Sequence, residues 1–180
     1  DERGTYILNS KDLCLVDHLK ELEEAGVSSL KIEGRMKSDY YVASVVNAYR
    51  RALDGFDDFE VLHSELEKTS HRRYTTGFYF GADDKEYLED SMPVQSYVFI
   101  AKVVEDAVDG HVKVEMRNRF RVGDTLEILS ADDNFLKTIT ITEITNSKGE
   151  NIDDAKRVQE IVTINCPCLL KSGDILRVEK

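Results

Sequence analysis

Residues 29–41 read SLKIEGRMKSDYY, and the reading of the first third of the chain turns on them. Leu30 and Ile32 alternate with Lys31 and Glu33, the period of a strand with one apolar side. Gly34 interrupts the pattern. Ser38 is a helix-capping residue type, and Tyr41, Val42, Val45, Val46, Tyr49, Ala52 and Leu53 then recur at helical spacing until Gly55. The stretch is therefore expected to be the end of a strand, a glycine-centred loop and the start of a helix. Upstream, Thr5–Asn9 is a short apolar run of strand type. Ser10 follows as a cap, Leu15, Val16, Leu19 and Leu22 keep helical spacing, and Gly26 closes that helix. Residues 1–55 thus read strand, helix, strand, helix. Short loops in that order require parallel strands with crossover helices. A strand pattern starting so near Asp1 is what a segment cut from a larger α/β domain would show.

The pattern changes twice downstream. Residues 56–93 hold a short acidic helix, DDFEVLHSELEKTS, then the aromatic and basic loop HRRYTTGFYFG, then an acidic stretch ending at Pro93. From residue 94 the period becomes two. YVFIAKVVE, HVKVEMRNRFRV, TLEIL, LKTITITEI, VQEIVTI and ILRVE read as six strands at the spacing of a small antiparallel barrel. RVGDTLEIL and LKSGDILRV echo each other, each a Gly-Asp turn leading into an alternating strand, and Gly123 and Gly173 are expected at positive φ. The expected fold is α+β. Residues 1–55 are the truncated end of a β/α barrel, 56–93 a helical and loop linker, and 94–180 a six-stranded antiparallel β-barrel domain.

Composition narrows the function. Apolar residues make up 41% of the 180, enough to build a core, while the net charge of −11 argues against broad nucleic-acid binding and leaves only local basic sites. No run of about 18 apolar residues exists. The opening DERGTYILNS lacks a basic-then-apolar leader. Three unevenly spaced cysteines, Cys14, Cys166 and Cys168, are no disulfide framework. A cytoplasmic protein is expected.

Four constellations could carry chemistry. In parallel α/β units reactive groups gather at the C-terminal strand ends, which here offer Asn9, Ser10, Lys31, Glu33, Arg35 and Lys37. Three cations around one carboxylate suit an anionic ligand, with Arg35 able to hold a carboxylate or phosphate as a fork. The same residues could equally form a structural ion network. In the loop, His71, Arg72 and Tyr74 interleave ring and charge as a base-stacking, phosphate-holding site does, or else pin the loop to the core. Alternation in HVKVEMRNRFRVGD puts Val112, Val114, Met116, Phe120 and Val122 on one side. Lys113, Arg117, Arg119 and Arg121 fall on the other as a basic stripe that an RNA backbone could use, or as a solvated face paired with acidic neighbours. Cys166 and Cys168 have too few companions for a metal site, and no metal or cofactor is assigned to this chain. No His-Glu-x-x-His pattern or nucleophile, base and orienter set is visible, so independent proteolysis is not expected.

SLKIEGRMKSDYYVASVVNAYRRALD, with GTYILNSKDL before it, SHRRYTTGF after it and NRFRVGDTLEI further on, resembles the collagenase-like peptidases, peptidase family U32. The resemblance implies the C-terminal part of such a protein, holding the last two strand-helix units of its barrel and its C-terminal domain. It implies an iron-sulfur cluster held, if at all, by cysteines upstream of this chain. The catalytic type of the family is unassigned, and relatives act in tRNA and ribosomal RNA hydroxylation with dependence on the dicarboxylate prephenate. On that basis Lys31, Glu33, Arg35 and His71 are the catalytic candidates. Asn9, Ser10, Lys37, Arg72 and Tyr74 are the substrate-binding candidates, and Lys113, Arg117, Arg119 and Arg121 the nucleic-acid-binding ones. The expected role is substrate recruitment for a wobble-uridine hydroxylation factor, against a genuine protease whose module binds protein substrate. An isolated segment is expected to self-associate through apolar edges.

Overall fold

The computed structural model describes residues 10–81 and 92–180, in two units, Asp1–Ser96 and Tyr97–Lys180. The fold is α+β. The expected strand at Thr5–Asn9 lies outside the described residues.

In the first unit a two-residue strand, β1 (Asp12–Leu13), stands where the sequence pattern placed the start of a helix. A single 3-10 turn, Val16–His18, leads into α1 (Leu19–Glu24). The chain leaves α1 through Gly26 at φ +88°, with the Val27 N–H on the Leu22 carbonyl at 3.0 Å. The expected strand across 28–33 is not formed. A strand exists only as a ladder, and among the described residues no backbone group pairs with Leu30–Glu33. The alternation survives as facing: Ile32 packs on the core while Lys31 and Glu33 stay exposed. Gly34 is needed for close approach, because a Cβ there would sit 2.8 Å from Val42 Cγ2.

Ser38 caps α2 (Asp39–Leu53) as its residue type predicts, its Oγ accepting the Tyr41 N–H at 3.2 Å. The buried face of α2 is rotated from the expected one. Tyr40, Ser44, Val45 and Ala48 are inside, and Val42, Val46 and Leu53 are exposed. α3 (Phe59–Glu67) follows, capped by Asp58, and buries Leu62 and Leu66. β2 (Tyr74–Thr75) then pairs in parallel with β1, Asp12 opposite Tyr74 and Leu13 opposite Thr75. Cys14, Val16, Val45, Ala48, Leu62 and Leu66 form the core of this unit.

The second unit is an antiparallel sheet with alternating burial. Its strands are β3 (Tyr97–Val103), β4 (His111–Met116), β5 (Phe120–Arg121), β6 (Thr125–Leu129), β7 (Thr138–Thr140), β8 (Ile144–Thr145), β9 (Asp154–Ala155), β10 (Ile161–Asn165) and β11 (Ile175–Glu179). Seven of them form one sheet in the order β7-β6-β11-β3-β4-β10-β8, and β5 pairs separately with β9. The expected strand LKTITITEI is split into β7 and β8, which occupy opposite edges of that sheet. Only residues 141–143 join them, so the sheet must curl until its edges lie within a few residues' reach, at most ~3.5 Å per residue. Asn165 stitches this seam. Its Nδ2 donates to the Thr140 carbonyl at 2.9 Å and its Oδ1 accepts the Thr142 N–H at 2.7 Å. On the other side the Gly123 N–H donates to the Ile141 carbonyl, and the Ile141 N–H to the Asp124 carbonyl, each at 2.8 Å.

The Gly-Asp echo is a true structural repeat. Asp124 Oδ2 accepts the Arg121 N–H at 2.7 Å and Asp174 Oδ2 accepts the Lys171 N–H at 2.8 Å. Gly123 and Gly173 both have positive φ, 95° and 102°, and the strands that follow, β6 and β11, are neighbours. One charged residue enters the sheet interior. A bulge between Leu176 and Arg177 breaks the alternation and leaves Arg177 fully buried, its Nε on Glu127 Oε1 at 2.8 Å and its guanidinium 5.5 Å from the Tyr97 ring. Asn165→Ala should lower stability by about 1–2 kcal/mol by leaving the seam's N–H and C=O without their partner. Urea unfolding followed by circular dichroism checks this, with the midpoint shifting and the slope unchanged.

Candidate functional site

A charge cluster in the first unit is organised by a residue that sequence periodicity assigns to a helix. The β1–β2 ladder, with the Asp12 N–H on the Arg73 carbonyl at 2.9 Å, carries the Asp12 side chain beside Arg72. Asp12 then accepts three contacts from that residue: the Arg72 N–H at 3.0 Å, Nε at 2.9 Å and Nη2 at 2.8 Å. Lys37 Nζ approaches the same carboxylate at 3.8 Å, donates to the Ser70 carbonyl at 2.9 Å and lies 4.9 Å from the centre of the Tyr41 ring. Arg72 Nη1 also reaches Ser10 Oγ at 3.3 Å. One carboxylate thus fixes two cations from segments far apart in sequence.

These residues border a cleft of about 600 Å³ within the first unit, large enough for a small organic ligand. Lys31, Glu33, Lys37, Arg72 and Tyr74 all line it, so the structure brings together five of the residues singled out in the sequence. Leu13, Leu15, Ile32 and Val45 supply its apolar wall. The Lys31–Glu33–Arg35 ion network is not formed. Glu33 Oε1 instead accepts the Arg35 backbone N–H at 2.9 Å. Among the described residues the Lys31 ammonium and the Arg35 guanidinium, both exposed, have no carboxylate partner. Asn9 lies outside the described residues.

Four residues that sequence reasoning missed complete the cleft: Asp12, Cys14, Tyr41 and Tyr49. The Leu15 N–H donates to the Tyr49 oxygen at 3.1 Å, and the Tyr49 O–H donates to Cys14 Sγ at 3.7 Å. Burial pushes the Cys14 thiol and the Tyr41, Tyr49 and Tyr74 phenols above their ordinary pKa ranges, with neighbouring carboxylates adding to the shift at Tyr41 and Tyr74. Cys14 is therefore a protonated thiol at neutral pH, the opposite of an activated nucleophile.

His71 is not part of the cleft. Its ring is buried, stacks on Tyr74 at 4.6 Å and 5°, and places Nδ1 on the Thr69 carbonyl at 2.8 Å. Its backbone exchanges both hydrogen bonds with Val94, at 2.8 and 3.1 Å. His18 and His63 bond to Glu21 and Asp17, and His111 to Glu143 and the Asp109 carbonyl. Among the described residues no histidine meets a serine, threonine or cysteine side chain, and no group of His, Cys, Asp or Glu could hold a metal ion. No helix among them is long and apolar enough to cross a membrane.

The basic stripe of the second unit is broken between β4 and β5, and each of its cations meets a carboxylate. Lys113 lies 3.0 Å from Glu105 and Arg117 2.9 Å from Glu115, while Asp154 receives both Arg119 Nε at 2.9 Å and Arg121 Nε at 3.7 Å. Val122, expected on the buried side, is exposed because the Gly-Asp turn begins there. The four cations of this stripe thus differ from Lys31 at the cleft, which has no carboxylate partner among the described residues.

Asp12→Ala should destabilise the first unit by about 1–3 kcal/mol, because Arg72 loses its charged partner and its own N–H is left unpaired. Asp12→Asn should cost less, since the amide oxygen still accepts. Guanidinium titration of both variants decides the order.

Residues 1–89 match the family model of peptidase family U32, and residues 95–177 match that of the peptidase family U32 C-terminal domain. The chain is 38% identical to tRNA hydroxylation protein P of Escherichia coli over 159 residues, covering 83% of this chain and 34% of that protein. It is 37% identical to tRNA hydroxylation protein P of Haemophilus influenzae, covering 93% and 38%. It is 31% identical to an uncharacterized protease of Methanocaldococcus jannaschii, covering 95% and 44%. The chain therefore spans under half the length of these curated relatives. Its two matched segments account for nearly all of its residues, and the chain belongs to peptidase family U32.

Proposed function

We propose that this chain is the C-terminal segment of a tRNA hydroxylation factor acting on the wobble uridine, and that it recruits RNA without a catalytic constellation of its own. The observation that carries the recruiting role is the pair of unpartnered cations, Lys31 and Arg35, in a chain of net charge −11. In a strongly acidic protein an unneutralised Lys31 lining an apolar-walled cleft, with Arg35 four residues further along the same segment, favours an anionic ligand there. The names of the bacterial relatives support tRNA as that ligand's source. The recruiting surface is accordingly the first unit and not the sheet, where Arg117, Arg119 and Arg121 are already paired. The buried, protonated Cys14 and the committed ring of His71 give a proteolytic reading nothing to work with. This cytoplasmic role needs no cofactor from the chain's own cysteines. A cluster, where the whole protein has one, is held by residues beyond this segment.

The same reading takes residues 1–55 as the last two strand-helix units of a β/α barrel, in which Leu30–Glu33 finds the ladder partner that the described residues do not supply. Residues 56–93 are the link, and 94–180 a small closed six-stranded barrel whose fourth strand is the bent segment 138–145.

The test is tRNA binding by the full-length protein across a salt series. Lys31→Glu with Arg35→Glu should weaken binding and reduce the salt slope by about one to two. Arg117, Arg119 and Arg121 changed together to glutamine should alter affinity far less. The reverse ranking would overturn the assignment of the recruiting surface.

A further inference from the structure

The loop leaving β2 carries three consecutive aromatic residues, Phe78, Tyr79 and Phe80, exposed to 78, 61 and 61%. Solvent exposure of three adjacent large rings is costly, because each keeps most of its apolar area in water. The loop is nevertheless held in shape. Gly77 takes φ +64° and its N–H bonds Thr75 Oγ1 at 3.1 Å, and the Tyr79 N–H bonds the Thr76 carbonyl at 3.3 Å. Phe80 leans on the His18 ring with centroids 4.2 Å apart. Tyr79 lines the cleft whose rim includes Lys31.

We infer that Tyr79 is a stacking platform for an unpaired RNA base at the cleft mouth, with Lys31 holding the adjoining phosphate. This rests on the RNA reading given above and extends it to the residue that takes up the unpaired base. The physical reasoning is direct. A duplex hides its base faces and offers only phosphate to a cation, whereas an unstacked base offers a flat apolar face that a ring can cover. An exposed ring lining the same cleft as an unpartnered cation matches the second kind of ligand. A protein partner would be served by the rings alone and would not need the cation.

The experiment measures binding of the full-length protein to a stem-loop RNA with an unpaired loop and to a fully paired duplex of the same length. The wild type is expected to prefer the stem-loop. Tyr79→Ala should weaken stem-loop binding about tenfold and leave duplex binding unchanged. Tyr79→Phe should retain the preference. Tyr79→Leu should lose it as alanine does, because leucine keeps apolar bulk and lacks a ring face. Full binding by the leucine variant, or an equal loss on both RNAs, overturns the stacking role and leaves the ring as packing. Unchanged binding by Tyr79→Ala overturns it in favour of a protein contact. A wild type that binds neither RNA sinks the RNA reading as a whole, and the stacking role with it.

Discussion

Asp12 is the residue on which the candidate site depends. It joins a parallel two-residue ladder to Arg72 through three contacts, and it draws Lys37 into the same cluster. Without that carboxylate, two cations would face each other at the edge of an apolar cleft, and repulsion would push the 10–13, 34–38 and 70–75 segments apart. With it, one of those two positive charges is offset and the three segments are tied to one carboxylate. The half-buried position of Asp12 matters. A fully exposed pair would be worth about 0–1 kcal/mol, whereas this one also satisfies a backbone N–H.

The basic stripe and the cleft differ in how their cations are placed. In the sheet unit, Asp154 alone serves two arginines, and the stripe of cations ends up as a set of local pairs. Near the cleft, Glu33 spends its carboxylate on a backbone N–H, which leaves Lys31 and Arg35 uncommitted. A field that extends beyond ~8 Å is screened at physiological salt. Unpaired cations therefore act only on what comes close.

Much of the fold was legible in the sequence where a feature is set by residues a few positions apart. Ser38 caps its helix, Gly26 ends another, and the two Gly-Asp turns repeat bond for bond because each is specified within four residues. What was not legible depends on partners distant in the chain. Asp12 meets Arg72 across 60 residues, and no local pattern encodes that pair. The alternation of Leu30–Glu33 is a strand pattern, yet alternation fixes only which side faces the core and cannot supply a ladder. LKTITITEI reads as one strand because its residues alternate throughout. It is split because Asn165, from another strand, takes the hydrogen bonds at its bend. Arg177 lies buried because a bulge shifts the register, an event that side-chain period cannot announce. His71 looked like a site residue by type and neighbours, and its ring is spent on a carbonyl and on Tyr74.

The central claim is that this family member serves tRNA hydroxylation through a recruiting cleft, and nucleoside mass spectrometry of cellular tRNA tests it most directly. Deleting the gene should remove hydroxylated wobble uridine, and restoring the wild-type gene should return it. Restoring a gene with Lys31→Ala and Arg35→Ala should return little. An unchanged level of the modified nucleoside in the deletion strain would contradict the account.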